Sequence, residues 1–251
     1  MLGLLAARRA QPEHLTLREP DATRCRHLKA EYSVHCARDA EELCRTSRVL
    51  VAAVKPQLAD QALAACNPFL TDDHLVISIM AGVSLADLAD IFTEPVRLIR
   101  VMPNTPALVL AAASAFSAND RATAADRQVA QTLFSAVGTC VEVAEYQLDA
   151  VTGLSGSGPG YVFTFIEAMI DGGVLAGLPR PLAEQLVLQT VYGSARLALE
   201  TGEHPAVLKG RVTSPGGTTI AGLRVLEEGA FRGLVMNAVQ AATARSRELG
   251  A

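Results

Sequence analysis

The residues best suited to chemistry lie in Thr213-Ser214-Pro215-Gly216-Gly217-Thr218-Thr219, which runs straight into the apolar stretch Ile220-Ala221-Gly222-Leu223-Arg224-Val225-Leu226. A helix start offers N–H groups without intrahelical acceptors, paired glycines let a ligand approach the backbone, and serine and threonine hydroxyls add donors. Such a turn suits a small carboxylate, although an ordinary capped turn would use the same residue types. A second glycine-serine turn, Leu154-Ser155-Gly156-Ser157-Gly158-Pro159-Gly160-Tyr161, opens another helical stretch. Ser157 is placed to cap that helix and Pro159 to occupy its first turn, while the small residues also permit close approach of a ligand or a partner chain.

Two further loops follow apolar, β-branched runs: Val54-Lys55-Pro56-Gln57 and Arg100-Val101-Met102-Pro103-Asn104-Thr105-Pro106. Open α/β sheets bind ligands at the carboxyl ends of their parallel strands. Each proline also simply ends its strand, so it is their joint occurrence after separate strands that points to a site. Metal chemistry finds little support. The five cysteines are odd in number and show no CxxC spacing, and the five histidines are scattered, so reduced, mostly buried thiols are expected.

These loops need a scaffold. Between Leu15 and about Val143, apolar runs alternate with amphipathic stretches, the rhythm of βαβ units around a parallel sheet. The strands expected are Leu15–Leu17, Val49–Val54, Leu75–Ile79, Val96–Val101 and Thr139–Val143. Their near-continuous apolarity is that of strands covered on both faces. After Tyr146 the β-rich runs stop, and helical periods cover Gly158–Leu178, Pro181–Thr201 and Thr219–Leu249, with a break expected near Gly229. The second of these carries apolar residues around its whole circumference, Leu186, Val187, Leu188, Val191 and Leu197 among them. Burial in a subunit interface or inside a monomer would each produce that pattern. The division expected is residues 1–146 as an α/β domain and 147–251 as a helical one.

Composition narrows the function. With 251 residues, half of them apolar, the chain can bury one large core or two modest ones. A net charge of −4 without basic runs excludes a nucleic-acid footprint. The longest apolar stretch, Ala107 to Phe116, falls short of the roughly 20 residues a spanning helix needs. The first residues place charge after the apolar run rather than before it, unlike a secretory signal. A cytoplasmic protein with a small-molecule substrate and no membrane partner is expected.

One element is missing. A dinucleotide-binding half opens with a strand and a G-x-G-x-x-G turn into a helix, on whose N-terminus the pyrophosphate sits. Here Met1-Leu2-Gly3-Leu4-Leu5 reads as the end of that helix, and no G-x-G-x-x-G occurs.

Taken together, Ala53–Gln57, Ser78–Val83, Met102–Ala107, Thr152–Pro159 and Val212–Leu223, the last continuing to Arg232, resemble the pyrroline-5-carboxylate reductase family in order and spacing. The likeness spans the chain. It implies an incomplete Rossmann-like, doubly wound parallel sheet followed by an all-helical dimerisation domain, in a homodimer or a ring of dimers. It also implies hydride transfer from NADPH or NADH to the imine carbon of L-1-pyrroline-5-carboxylate, giving L-proline. Positioning and charge placement would carry much of the catalysis, with no side chain assigned as acid or base.

By the same resemblance, Ser214, Gly217, Thr218 and Thr219 bind the substrate carboxylate, with Ser157 and Gly158 shaping the pocket from across the dimer. Lys55, Pro56, Met102, Pro103 and Asn104 line the nicotinamide end, and Arg18 sits by the adenosine ribose. Arg18 favours a 2′-phosphate, whereas the adjacent Glu19 argues the other way. The sequence departs from the family at Asp39, Gly160 and Gly210. The absent glycine turn has two explanations: a start about 20 to 25 residues too late, from the length of a strand, a turn and most of a helix, or a truncated, inactive homologue that binds small carboxylates and dimerises. Another dehydrogenase acting on a hydroxy acid would need a lysine on the first long helix, and Gly158–Leu178 contains none.

Overall fold

Parallel pairing dominates the computed structural model, which describes Leu5 and residues 10–250. Strands β1 (Thr16–Leu17) and β2 (His35–Cys36) form a parallel pair of their own. A five-stranded sheet is built in chain order from β3 (Val49–Ala52), β4 (Leu75–Ser78), β5 (Arg97–Met102), β6 (Ala112–Ala118) and β7 (Gly138–Glu142). The reading of Met1–Leu5 as the end of a first helix falls, apart from Leu5, outside the described residues.

Alternation along the strands divides the core between the faces of the sheet. Leu75 and Ile77 of β4 pack with Ile99, Val101, Phe116 and Cys140 on one side. Val76 packs with Leu50, Leu98, Leu85, Leu88 and Phe92 on the other. Both faces need helices, and the connections supply them: α1 (Ala22–Tyr32), α2 (Ala40–Thr46), α3 (Ala59–Ala64), α4 (Leu85–Ile91), α5 (Ala124–Ser135) and α6 (Leu148–Val151). Capping boxes start two of them, Ser84 with Asp87 for α4 and Thr123 with Asp126 for α5.

Two differences from the sequence reading stand out. The sheet is not wholly parallel, because β5 and β6 run antiparallel, with Ile99 opposite Ala118 and Met102 opposite Ala115. The strand β6 was not expected: its sequence Ala-Ala-Ser-Ala-Phe-Ser-Ala has no β-branched residue and no clear alternation. Its pairing with β5 and β7 and its near-complete burial decide its conformation, overriding propensity. The strand β2 also went unread, since two residues carry no period.

The chain divides into two compact units, one running to Ser157 and resumed from Gln240, the other Gly158–Val239. By compactness, the last residues of the chain thus belong to the first unit. There Ser246 is buried and donates its hydroxyl to Asp149 at 2.8 Å.

The second unit holds α7 (Gly158–Leu175), α8 (Arg180–Thr201), α9 (Pro205–Arg211), α10 (Thr218–Glu228) and the first part of α11 (Phe231–Leu249). The break expected near Gly229 is there, with Ala230 at φ +54° between α10 and α11. Burial is sparse: no residue of α7 or α10 is buried, and in α8 only Ala183 and Val187 are. Large apolar side chains stay open, Phe163 at 62%, Leu199 at 82% and Met236 at 65%. Apolar exposure on this scale is typical of a surface that another chain covers. No helix among the described residues is long and apolar enough to cross a membrane.

Candidate active site

Because β3, β4 and β5 are adjacent and parallel, the segments leaving their carboxyl ends emerge on one edge of the sheet. Lys55 follows β3, is exposed, and precedes the turn Pro56–Leu58, which closes when the Leu58 N–H donates to the Lys55 carbonyl at 2.9 Å. Pro56 occupies the position where a missing N–H costs nothing. After β4, Gly82 adopts φ +75°, a conformation that favours glycine, and leads into Ser84 at the start of α4. The Ser84 hydroxyl and N–H hold the Asp87 carboxyl below its usual range against the opposing effect of desolvation, with Arg100 adding to the lowering. Met102 at the end of β5, and Pro103 and Asn104 after it, are half-buried. Lys55 and Pro56 therefore share an edge with Met102, Pro103 and Asn104.

Asn104 is held from two sides. Its Nδ2 donates to the Ser155 carbonyl at 3.0 Å, and its Oδ1 accepts from the Ala113 N–H at 3.0 Å. Ser155 lies in a π-helical turn, Thr152–Gly156, in which the Ser157 N–H donates to the Thr152 carbonyl at 2.8 Å. Beneath this segment the buried Arg100 guanidinium lies 3.4 Å from Glu145 and 3.7 Å from Asp149, and Glu145 also accepts from the Leu85 N–H at 2.6 Å. A buried cation needs such partners, and these tie α6 and the start of α4 to β5.

Arg18 stands apart, exposed at the carboxyl end of β1 and outside the five-stranded sheet. Among the described residues it has no ion-pair partner. The neighbouring Glu19 carboxylate is occupied, accepting from the Asp21 N–H at 3.1 Å and lying 3.4 Å from Arg24. Asp39 caps α2 by accepting from the Glu42 N–H at 2.8 Å.

In the second unit, Ser214 to Gly217 form a tight turn closed by the Gly217 N–H donating to the Ser214 carbonyl at 3.1 Å. Proline at the second position and glycine with φ +65° at the third give it type II character. Gly217 is then the N-cap of α10, and having no side chain it leaves the first N–H groups of that helix, at Thr218 and Thr219, uncovered. A Cβ on Gly217 would overlap the Ser214 Oγ, so the hydroxyl lies directly over the turn. The Thr213 hydroxyl is committed elsewhere, donating to the Lys209 carbonyl at 2.7 Å. Ser214, Gly217, Thr218 and Thr219 thus come together as an anion-suited cradle, while Ser157 ends the first unit and Gly158 begins α7. No cluster of His, Cys, Asp or Glu among the described residues could hold a metal ion.

Sequence reasoning missed the roles of Ser155 and Gly156. A Cβ on Gly156 would overlap the Met102 Cε, which binds the π-turn against the end of β5. The Gly-Ser-Gly run signalled close packing, but nothing in it named the partner.

An open, largely parallel sheet with loops exposed at its carboxyl edge, in a chain that also carries a helical unit with an anion-suited turn, defines a dinucleotide-dependent oxidoreductase fold. Comparison with known proteins agrees. Residues 145–249 match the family described as pyrroline-5-carboxylate reductase dimerisation, and residues 1–82 match that described as NADP oxidoreductase, coenzyme F420-dependent. A pyrroline-5-carboxylate reductase from Synechocystis is 50% identical over 247 residues, covering 98% of this chain and 92% of that protein. One from Methanosarcina acetivorans is 46% identical over 250 residues, covering 100% and 93%. The crystal structure of the Plasmodium falciparum pyrroline carboxylate reductase with NADP bound superimposes with a TM-score of 0.89 at 35% identity, covering 100% of this chain and 92% of that one. The chain belongs to the pyrroline-5-carboxylate reductase family.

Proposed function

We propose that this protein reduces L-1-pyrroline-5-carboxylate to L-proline, the last step of proline biosynthesis, as an NAD(P)H-dependent oxidoreductase of its family. In that reaction the imine carbon gains a hydride and the ring nitrogen a proton. The dinucleotide supplies the hydride when bound. The protein's part is to hold the imine's carboxylate, orient its reacting face and keep the nitrogen protonated.

The observation that carries this reading is the turn from Ser214 to Gly217 running into the uncovered start of α10, which suits a small anion such as the imine's carboxylate. Ser214, Thr218 and Thr219 would supply donors and Gly217 the close approach, with Ser157 and Gly158 contributed by a second copy. Lys55, Pro56, Met102, Pro103 and Asn104 would line the nicotinamide end.

The exposed Arg18 is free to meet a 2′-phosphate, and the engagement of Glu19 with Arg24 removes the competing acid, so NADPH is favoured over NADH. Replacement of Arg18 by alanine should raise the KM for NADPH and spare that for NADH; equal effects on both would discard this role. Functionally, residues 1–146 would serve the dinucleotide, and 147–251 the substrate and dimerisation, with the exposed apolar helices pairing two chains and dimers closing into a ring. We place the enzyme in the cytoplasm. The deciding experiment is oxidation of NADPH by the purified protein in the presence of pyrroline-5-carboxylate, with proline formed in equal amount.

A further inference from the structure

We infer that Asn104 is a positioning residue, a two-sided amide clamp that fixes the π-turn Thr152–Gly156 and thereby places Ser157; this deepens the reductase reading and rests on it for its kinetic consequence. The need for a clamp is written in the sequence. Were the helical turn to continue, the Ser155 carbonyl would accept from the N–H four residues on, but residue 159 is proline and has none. A buried or half-buried carbonyl without a donor is costly, and the Asn104 Nδ2 supplies the donor at 3.0 Å.

The other end of the amide is equally committed, with Oδ1 accepting from the Ala113 N–H of β6 at 3.0 Å. One side chain therefore joins the end of β5, the start of β6 and the π-turn. The contact of Met102 with Gly156 closes the same junction by packing, where a β-carbon would overlap the Met102 Cε. π-turns are rare and concentrate at functional sites, and this one ends on the Ser157 N–H bonded to the Thr152 carbonyl at 2.8 Å. With its amide committed to this junction, Asn104 lines the nicotinamide end through its backbone, and its side chain acts on the reaction through Ser157.

An aspartate separates these roles, because its protonated carboxyl has the donor and acceptor of asparagine while its ionised form has no donor for Ser155. Wild type, Asn104→Ala and Asn104→Asp are compared in the full-length protein by steady-state kinetics and by hydrogen exchange at the Ser157 amide. For Asn104→Ala, kcat/KM for the imine should fall about 10- to 100-fold with the KM for NADPH within about twofold, and Ser157 exchange should quicken by about tenfold or more. For Asn104→Asp, activity relative to wild type at the same pH should climb as the pH is lowered from about 8 to about 5, while the Asn104→Ala ratio stays flat. A flat Asn104→Asp ratio, or a raised KM for NADPH with Ser157 exchange unchanged, overturns the clamp. Should wild type itself show no turnover, the reductase reading fails, and the exchange measurement still decides the clamp.

Discussion

Replacing Gly217 by alanine separates binding from folding. The backbone there, φ −77° and ψ 174°, is open to any residue, so no strain follows. Loss of chain entropy in the unfolded state favours alanine by about 0.4 to 1 kcal/mol. Alanine is a poorer N-cap than glycine, by about as much. Folding stability should therefore change by less than about 1 kcal/mol. The new Cβ, however, overlaps the Ser214 Oγ and comes within 3.3 Å of the Ser214 carbonyl oxygen. The hydroxyl can rotate away at small cost, but it then no longer lies over the turn. A hydrogen bond to a charged group contributes about 1.5 to 3 kcal/mol, which is roughly a 10- to 150-fold loss in kcat/KM for the imine. Steady-state kinetics beside a thermal melt reads both quantities. Ser214→Ala should lose a similar amount, and adding Gly217→Ala to it should cost little more, since both act on one hydroxyl. Activity within about twofold of wild type for Gly217→Ala would refute the assignment of Ser214 to the carboxylate. Full additivity in the double variant would do so as well.

Three further outcomes concern the scaffold. Gly138 has φ +151°, and a Cβ there would overlap the backbone carbonyl and nitrogen of Ala112 on the neighbouring strand, so Gly138→Ala should lose more than about 3 kcal/mol in urea unfolding. Burial pushes the Asp126 carboxyl up, but the Thr123 hydroxyl and N–H and then Arg97, at 2.9 Å, outweigh it and hold the group below its usual range. A depressed pKa stabilises the fold above the unfolded value and is lost as pH falls below it, so Asp126→Ala should cost about 2 to 4 kcal/mol at neutral pH. That difference should shrink below about pH 4; a constant difference across pH would exclude the charge as its source. Sedimentation should give a dimer or a multiple of it, with the exposed Phe163 and Leu199 covered; a monomer at micromolar concentration would contradict the pairing of helical units.

Much of this structure was legible because its elements are long or strongly patterned. The apolar runs at Val49, Leu75 and Val96 are strands, the middle one covered on both faces while Val51 of the first stays open, and the helices from Gly158 and Pro181 onward have clear stops, at Gly177 and at Gly202 with φ +65°. The carboxylate-suited turn was legible because Pro215 and Gly216 specify its backbone locally. What escaped is set by distant contacts. The alanine-rich β6 is a strand because β5 and β7 flank it, and its antiparallel sense follows from the short reversal after Asn104 rather than from any periodicity. The return of α11 to the first unit depends on Ser246 meeting Asp149, 97 residues earlier in the chain. The partners of the Asn104 amide were not legible either, since Ser155 lies 51 residues further along the chain.

The most direct measurement is the initial rate of NADPH oxidation by the purified protein with pyrroline-5-carboxylate, with proline quantified alongside. Turnover that depends on the imine, yields one proline per NADPH and is lost in Thr218→Ala and Thr219→Ala combined with Ser214→Ala is the result expected. Folded protein that binds the imine or proline and oxidises no NADPH would contradict the reductase reading and leave a carboxylate-binding member of the family.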